Sequence, residues 1–202
     1  MTAAPSRRSS ALSQDEVVEV ALRLARQRGI DAVTMRSVAA ELHVTPMALY
    51  YHVKDKDELL GLIAAAAIAR HVDLLQATGG ETWEQALGHY LTSLWTTLRA
   101  YRGLGEHLIA RPDLGISPDH YHDGVEFLER AGFPPGLARL AWPYAITYVH
   151  GRLSVDANLN RDSARAMGLS GISAKEHVAF GVETVVAGLR AMLDRAHHKD
   201  CG

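Results

Sequence analysis

The stretch TPMALYYHVKDKDELL, residues 45–60, decides how this sequence is interpreted. Before it lies the short segment MRSVAAEL, and Thr34 and Thr45 each stand where the N-cap of a helix is expected. Pro46 then takes the first helical position, where its missing amide proton breaks no hydrogen bond. The pattern predicts two short helices joined by the tight turn HV, which is the spacing of a helix-turn-helix.

Helices this short are unstable alone, so apolar side chains must hold them in place. We expect a seam that packs on the preceding helix, whose apolar stripe runs from Val17 to Leu24. The seam residues are Val38, Ala39, Leu42, Val44 and Leu49. Once this seam is buried, the opposite faces of both helices are left for an outside partner.

The residues outside the seam carry side chains suited to a DNA duplex. The N-terminal end of the second helix, where base edges and thymine methyl groups are reached, holds Thr45, Pro46, Met47 and Ala48. Hydroxyl, imidazole and ammonium donors for phosphate oxygens follow at Tyr50, His52, Lys54 and Lys56. Arg36, near the start of the first helix, is placed to reach a guanine or the backbone. Lys56 also begins a helix whose exposed amides favour a phosphate.

Each of these residues also has an interpretation without DNA. Tyr51 is equally consistent with DNA contact and with packing in the core, because adjacent helical residues face different ways. Met47 is more often a core residue, but its place on the first helical turn favours contact. His52 is either solvated or bound to phosphate, and the neighbouring lysines favour phosphate. Arg7 and Arg8 are interpreted first as a solvated arm, with minor-groove insertion as the alternative.

The whole segment TMRSVAAELHVTPMALYYHVKDKDELL resembles the DNA-binding end of TetR-family transcriptional regulators. The resemblance covers roughly residues 13–62. It is carried by Thr34, Val38, Ala39, Leu42, Val44, Leu49, Tyr50, His52, Lys56, Leu59 and Leu60. It implies an all-α homodimer with a three-helix reading head and a larger helical body that dimerises and binds a small effector.

Composition agrees with a protein of this kind. The chain has 202 residues, 48% of them hydrophobic, and no apolar run approaches the roughly 20 residues of a membrane span. The N-terminus lacks the apolar segment of a secretory signal, and the single cysteine excludes an intrachain disulfide, so we expect a cytoplasmic protein. Residues 1–56 carry eight Lys/Arg and six Asp/Glu, whereas the remainder carries thirteen and seventeen. The head is thus the more basic part.

Helical periodicity runs through nearly the whole chain, and no strand pattern is found. We therefore predict an all-α fold, with an N-terminal three-helix domain containing the helix-turn-helix and a larger C-terminal helical domain. The expected division is a flexible arm at 1–12, the DNA-binding domain at 13–56 and the effector-binding and dimerisation domain at 57–202. Helix starts are marked by the capping boxes Ser13/Glu16, Asp55/Glu58, Thr82/Gln85 and Ser173/Glu176. Long helices are predicted at 56–77, 137–159 and 174–196, with a mobile connection at about 160–172.

The two last long helices mix small and large apolar residues, as a four-helix dimer interface requires. The candidate interface residues are Ala141, Ala145, Arg152, Gly181, Val185, Gly188, Leu189 and Met192. The alternative is that these faces close a core within the chain, and both can hold because each helix has more than one apolar side. A dimer would also place two reading helices about 34–36 Å apart, as a palindromic operator demands.

An effector pocket is expected among large side chains of four body helices. The candidates are Tyr90, Leu94, Trp95, His107, Phe127, Trp142, Tyr144 and Tyr148. Pro143 removes one backbone hydrogen bond and leaves a carbonyl free near Arg139, for a ligand or a neighbouring helix. His107 resembles a metal-side histidine of a drug-binding member of the family, but the other positions of that site do not match. We therefore expect an apolar or aromatic effector.

No cofactor and no metal site are predicted. The histidines of HYHD, residues 120–123, and of the pair at 197–198 do not form a full ligand set at zinc spacing, so solvated polar faces are the better interpretation. The sequence thus favours a homodimeric repressor that is released from DNA by a small molecule. The alternative is a helical-bundle enzyme or small-molecule-binding protein whose N-terminal helices serve as a protein adaptor.

Overall fold

The computed structural model describes residues 12–69, 81–111, 118–159, 161–169 and 171–199, and every regular element in these ranges is helical. The prediction of an all-α fold is therefore confirmed for the described chain. Within the same ranges, no helix combines the length and the apolar character that crossing a bilayer requires. The predicted arm at 1–12, except Leu12, and the predicted end of the helix at 70–77 lie outside the described residues.

The N-terminal part of the described chain, which we call the head from here on, comprises the three helices of the predicted DNA-binding domain and the helix that follows them. They are α1 (Gln14–Arg28), α2 (Met35–Leu42), α3 (Pro46–Leu49) and α4 (Lys56–Ala69), with a 3-10 turn at Ile30–Ala32. The predicted capping box of α1 is confirmed, because Ser13 accepts from the Glu16 amide and the Glu16 carboxylate accepts from the Ser13 amide, both at 3.2 Å. Helix α1 contacts both α2 and α4 and so forms the floor of the head.

The body is built around one long helix. Its elements are α5 (Trp83–Arg99), α6 (Leu104–Ala110), α7 (Pro118–Arg130), α8 (Pro135–Asn158), α9 (Arg161–Ala166) and α10 (Ala174–Lys199). Helix α8 packs against α5, α6, α7 and α10, which accounts for its apolar residues on several sides. The predicted capping boxes at Thr82/Gln85 and Ser173/Glu176 are confirmed by reciprocal hydrogen bonds.

One feature of the body differs from the sequence interpretation, and a second decides between two alternatives that the sequence left open. The connection expected at 160–172 contains the short helix α9. The carbonyl left free by Pro143 is that of Arg139, and it accepts a hydrogen bond of 3.3 Å from the Tyr121 hydroxyl of α7. A neighbouring helix, rather than an open pocket, therefore satisfies the group that proline leaves without a partner.

Close packing of α7 on α8 depends on one glycine. Trp142 is fully buried, and a Cβ atom added at Gly124 would lie 1.9 Å from Cε2 of its indole ring. Only a residue without a side chain leaves room for the indole ring against the α7 backbone. The contact fixes the distance between the two helices in the centre of the body.

Replacing this glycine tests the packing directly. Gly124→Ala is expected to lower the free energy of unfolding by about 1–3 kcal/mol, because the new methyl group collides with Trp142. Gly136→Ala is the matched control on α8, where an added Cβ meets no atom within 4 Å. Urea unfolding at a fixed protein concentration measures both. Equal stability of the two variants would contradict the close contact.

Candidate nucleic-acid interface and effector region

Helix α3 is held by its neighbours and presented outward. It spans four residues, and Leu49 (0% exposed) and Val53 (1% exposed) anchor its C-terminal end in the head core. The side-chain amide of Gln14, at the start of α1, donates to the His52 carbonyl at 2.9 Å. Burial on one side and this hydrogen bond on the other fix a helix that is too short to be stable alone.

The turn between α2 and α3 contains a left-handed residue. His43 has φ 57° and ψ 38°, and it is the single described non-glycine residue with positive φ. This conformation ends α2, since the amide of His43 donates to the Ala40 carbonyl and that of Val44 to the Ala39 carbonyl, at 3.2 and 3.0 Å. The turn aims α3 away from the axis of α2, and α2 and α3 pack together as a helix-turn-helix.

The side chains predicted to face DNA lie largely on the surface. Tyr51, whose direction the sequence leaves open, is 84% exposed, and Met47 and Tyr50 are 68% and 51% exposed. Thr45 and Pro46 are exposed as well, while Ala48 and His52 are half-buried. Thr45 stands at the N-cap of α3 but makes no capping hydrogen bond with its side chain, contrary to the usual role of this residue type. Its hydroxyl is thus available to an outside partner.

Three exposed cations surround this surface. Arg36, Lys54 and Lys56 make no ion pair with any residue in the described ranges. The neighbouring carboxylate of Asp57 is paired with the guanidinium of Arg111, which follows α6 in the body. This pairing compensates a negative charge that would otherwise weaken the attraction of the surface for polyanions.

At the start of α4, one of the amides expected to be exposed has a carboxylate partner. The Asp55 carboxylate accepts from the Glu58 amide at 2.9 Å, and the Glu58 carboxylate accepts from the amide of Lys54 instead of Asp55. The predicted box is thus present in a shifted form. Because the Glu58 amide already has a carboxylate partner and Asp55 adds a negative charge, this helix end is a weaker phosphate site than expected, whereas the exposed ammonium group of Lys56 can attract a phosphate.

The predicted effector residues form one buried cluster and several separate positions. Tyr90 and Trp142 are fully buried with ring centroids 5.3 Å apart, and both rings contact His120 of α7. The Tyr90 hydroxyl lies 2.6 Å from Nε2 of His120. Burial raises the pKa of the Tyr90 phenol, so this group remains protonated. We call these three residues the aromatic cluster.

The other candidates lie in different surroundings. Leu94 and Phe127 are core residues, Trp95 donates from Nε1 to Asp156 at 2.8 Å, and His107 is half-buried. The Tyr148 hydroxyl lies 3.2 and 3.3 Å from the carbonyls of His177 and Val178 on α10. Tyr144 is 63% exposed on the outer side of α8, so it does not share a cavity with the aromatic cluster.

Sequence reasoning missed one buried histidine, His120, and one half-buried histidine, His150. His120 is 6% exposed, contrary to the interpretation of HYHD as a solvated face. Burial, and then the nearby His120, lower the pKa of His150 to about 4, so His150 is neutral at physiological pH. The spacing of His120, Gly124 and Leu128 on one side of α7 is the signal that indicates burial. The described residues contain no group of three or more potential metal ligands.

Trp142 and His107 each have a ring nitrogen without a hydrogen-bond partner among the described residues. These atoms are Nε1 of Trp142 and Nε2 of His107, and both are shielded from solvent. Buried polar atoms are nearly always satisfied in folded proteins, and each exception calls for an explanation. A bound molecule that carries hydrogen-bond acceptors is one such explanation.

An apolar groove runs along the outside of α8 and α10. It has a volume of about 290 Å³, and Tyr144 lies in it with Leu137, Leu140, Ala141, Thr184, Val185, Gly188, Leu189 and Met192. Leu140 and Tyr144 are 72% and 63% exposed. We call this surface the α8–α10 groove. Five of the eight residues predicted for a dimer interface line it, namely Ala141, Val185, Gly188, Leu189 and Met192.

The remaining three predicted interface residues face inward. Ala145 is fully buried, and the Arg152 guanidinium pairs with Asp156 within α8. Gly181 lies under Tyr148, since an added Cβ would fall 1.9 Å from its hydroxyl oxygen. These residues pack within the chain because α8 and α10 each bury one side against the rest of the body.

The fold and the exposed surface around α3 define a helix-turn-helix protein with a helical body. The family model for "Bacterial regulatory proteins, tetR family" matches residues 17–63. The chain is 35% identical over 139 residues to the tetracycline repressor protein class D of Escherichia coli. That match covers 68% of this chain and 62% of the repressor, so it spans less than two thirds of the relative's length.

Solved structures agree over nearly the whole chain. BioQ of Mycobacterium smegmatis is 30% identical with a TM-score of 0.69, and the match covers 89% of this chain and 98% of BioQ. Apo ActR of Streptomyces coelicolor shares the fold, with a TM-score of 0.77, 23% identity and coverage of 94% and 100%. ActR is also known in complex with (S)-DNPA. The chain therefore belongs to the tetR family of bacterial regulatory proteins.

The left-handed turn makes a prediction for the head. His43→Val is expected to lower the free energy of unfolding by about 1–2 kcal/mol, because a β-branched residue tolerates positive φ poorly. His43→Gly is expected to be at least as stable as the original chain, and His43→Asn to lie between Gly and Val. Urea unfolding monitored by circular dichroism gives this order. A valine variant as stable as the glycine variant would be incompatible with the left-handed conformation.

Proposed function

We propose that the protein is a transcriptional repressor that binds a palindromic DNA operator as a homodimer and leaves it when a small molecule binds in the body. The observation that carries this proposal is the outward presentation of α3, with Met47, Tyr50 and Tyr51 exposed beside three cations that make no ion pair within the described chain. An enzyme would have no use for such a surface. A protein adaptor would use it without any affinity for a duplex.

The proposed interface divides into two groups of residues. Thr45, Pro46, Met47 and Ala48 at the start of α3 meet base edges in the major groove, as in other helix-turn-helix proteins. Phosphate oxygens are bound by Arg36, Tyr50, Tyr51, His52, Lys54 and Lys56. The free hydroxyl of Thr45 supports a base or phosphate contact at the first position of this series.

Dimerisation is proposed through the α8–α10 groove. Large apolar side chains such as Leu140, Tyr144 and Met192 are exposed there, although isolated soluble domains seldom leave a continuous patch of this kind uncovered. An added Cβ at Gly188 meets no atom within 4 Å, which leaves room for a partner helix to approach closely. Two copies of α8 and α10 would then form a four-helix interface.

The effector is proposed to bind beside the aromatic cluster. Trp142 Nε1 and His107 Nε2 offer hydrogen bonds, while Tyr90 and Phe127 offer apolar ring surface. An aromatic molecule with oxygen or nitrogen acceptors fits this chemistry. Its binding would favour a spacing of the two heads that no longer matches the operator. The class D relative is by name a tetracycline repressor, and ActR is known in complex with (S)-DNPA. Both facts support a small-molecule effector.

Selection of bound duplexes from a random pool tests DNA binding and yields an operator for further work. Lys56→Gln is expected to weaken binding to selected and random duplexes alike by about ten-fold at low salt. It is also expected to reduce the slope of log K against log salt by about one, because one phosphate contact is lost. Met47→Ala is expected to change the selected sequence instead, with little change in that slope. Fluorescence anisotropy at several salt concentrations measures both effects.

Lys175→Gln provides the control, because Lys175 is an exposed lysine on α10, far from α3 in sequence. It should leave both affinity and salt slope unchanged. A protein that binds no duplex at low salt would contradict the repressor proposal and favour the adaptor. Release of the selected duplex by candidate aromatic compounds then tests the effector part of the proposal.

The double variant Leu140→Glu/Tyr144→Glu tests the dimer. A dimer of this variant would bury four carboxylates, two from each chain, in an apolar interface. Because burying unpaired charges has a large unfavourable free energy, the variant is expected to be a monomer. Light scattering coupled to gel filtration should give 22.0 kDa for it and twice that mass for the original chain. Tyr51→Glu is the control, since it changes an exposed aromatic residue of the head and should remain dimeric. A double variant that keeps the doubled mass would place the interface elsewhere.

A further inference from the structure

A second cavity lies where the head meets the body, apart from the aromatic cluster. It has a volume of about 670 Å³ and is bounded by the end of α1, the end of α5, the start of α6 and the last turns of α8. None of the eight residues predicted for effector binding lines it. We call it the junction cavity. Its volume falls within the range of small-molecule sites in proteins.

One side of the junction cavity is formed by an unusually close backbone contact. Gly29 and Gly103 both have positive φ, of 86° and 85°, and the amide of Ile30 donates to the Arg102 carbonyl at 2.9 Å. A Cβ added at Gly103 would lie 2.9 Å from Cγ1 of Ile30. The Arg102 guanidinium also donates to the Arg28 carbonyl at 3.1 Å. Head and body are thus joined firmly at this side, and the cavity opens next to the joint.

The lining combines an apolar floor with a cationic rim. Leu98, Tyr101 and Leu153 form the floor and are each less than 10% exposed. Three guanidinium groups stand on the rim, those of Arg28, Arg99 and Arg102, and none of them pairs with a carboxylate of the described chain. The Arg99 guanidinium carbon lies 5.1 Å from the centroid of the Trp95 ring, which restrains this side chain.

The acidic residues of the lining leave the cations in excess. Asp156 pairs with Arg152 and accepts the Trp95 indole hydrogen bond, so its charge is already compensated. Asp31 and Glu106 remain against the three arginines. Guanidinium groups prefer carboxylates as partners because their planar N–H donors match the two oxygen atoms. A ligand that also covers the apolar floor must carry a broad apolar group.

We propose that the junction cavity is a second small-molecule site that binds an aromatic carboxylate. The ring system lies on Leu98, Tyr101 and Leu153, and the carboxylate pairs with Arg28 and Arg99. Since Arg28 belongs to the head and Arg99 to the body, a ligand that pairs with both restrains their relative position. No residue of the aromatic cluster lines this site, and its existence does not depend on how the effector acts.

The probe pair 2-naphthoate and 2-naphthamide tests this proposal, because the two molecules share one shape and differ in charge. Isothermal titration of the full chain is expected to show naphthoate binding about ten-fold or more tightly than the amide, as charge-assisted hydrogen bonds imply. The variant Arg28→Gln/Arg99→Gln is expected to remove this difference. The matched control Arg26→Gln/Arg195→Gln removes two exposed arginines outside the cavity and should retain it.

Three results would overturn the proposal. The first is equal affinity of the original chain for the acid and the amide, and the second is absence of naphthoate binding at millimolar concentration. The third is loss of naphthoate binding in Tyr90→Phe but not in the arginine variant, which would assign the probe to the aromatic cluster. The comparison of acid with amide uses the unaltered chain, so it remains decisive even if the arginine variant is unstable. Failure of DNA binding in the earlier tests would leave these measurements unaffected.

Discussion

Helix α3 has only four residues, so its direction is set by what its neighbours bury and not by its own hydrogen bonds. Leu49 and Val53 enter the core formed by α1, α2 and α4, and the left-handed His43 redirects the chain just before α3 begins. Every side chain proposed to touch DNA depends on this arrangement. If Leu49 were not buried, Met47, Tyr50 and Tyr51 would have no defined orientation and the nearby lysines would belong to a flexible loop.

In the body, as in the head, a buried side chain determines how the surrounding helices pack. Trp142 lies against the backbone of α7 at Gly124, and its ring contacts Tyr90 of α5 and His120 of α7. One indole thus joins three helices, and the polar groups around it are confined to a few defined atoms. Helix α8 also contacts α6 and α10, and its residues line both the junction cavity and the α8–α10 groove.

Local signals were sufficient to predict where helices begin and which part of the head faces outward. The cap of α1 and its partner Glu16 lie three residues apart, so the sequence contains the whole interaction. The body was harder to predict, because α8 is apolar on several sides and periodicity does not tell Trp142 from Tyr144. The polar side chain of His120 suggested a solvent-exposed position. Its spacing with Gly124 on one side of α7 indicates a buried position instead. The pair Asp57–Arg111 spans 54 residues and has no local signature at all.

Helix α1 makes a contact at each of its ends. The hydrogen bond between Gln14 and His52 lies at one end, and the contact with the body lies at the other. Gly29 touches the body, while Gln14, fifteen residues away, holds the segment that follows α3. At a rise of 1.5 Å per residue α1 is a rod about 22 Å long, so a tilt of about 5° at the glycine end displaces the other end by about 2 Å. Any change in the direction of α1 would therefore displace the Gln14 end, and with it the segment after α3, more than the Gly29 end.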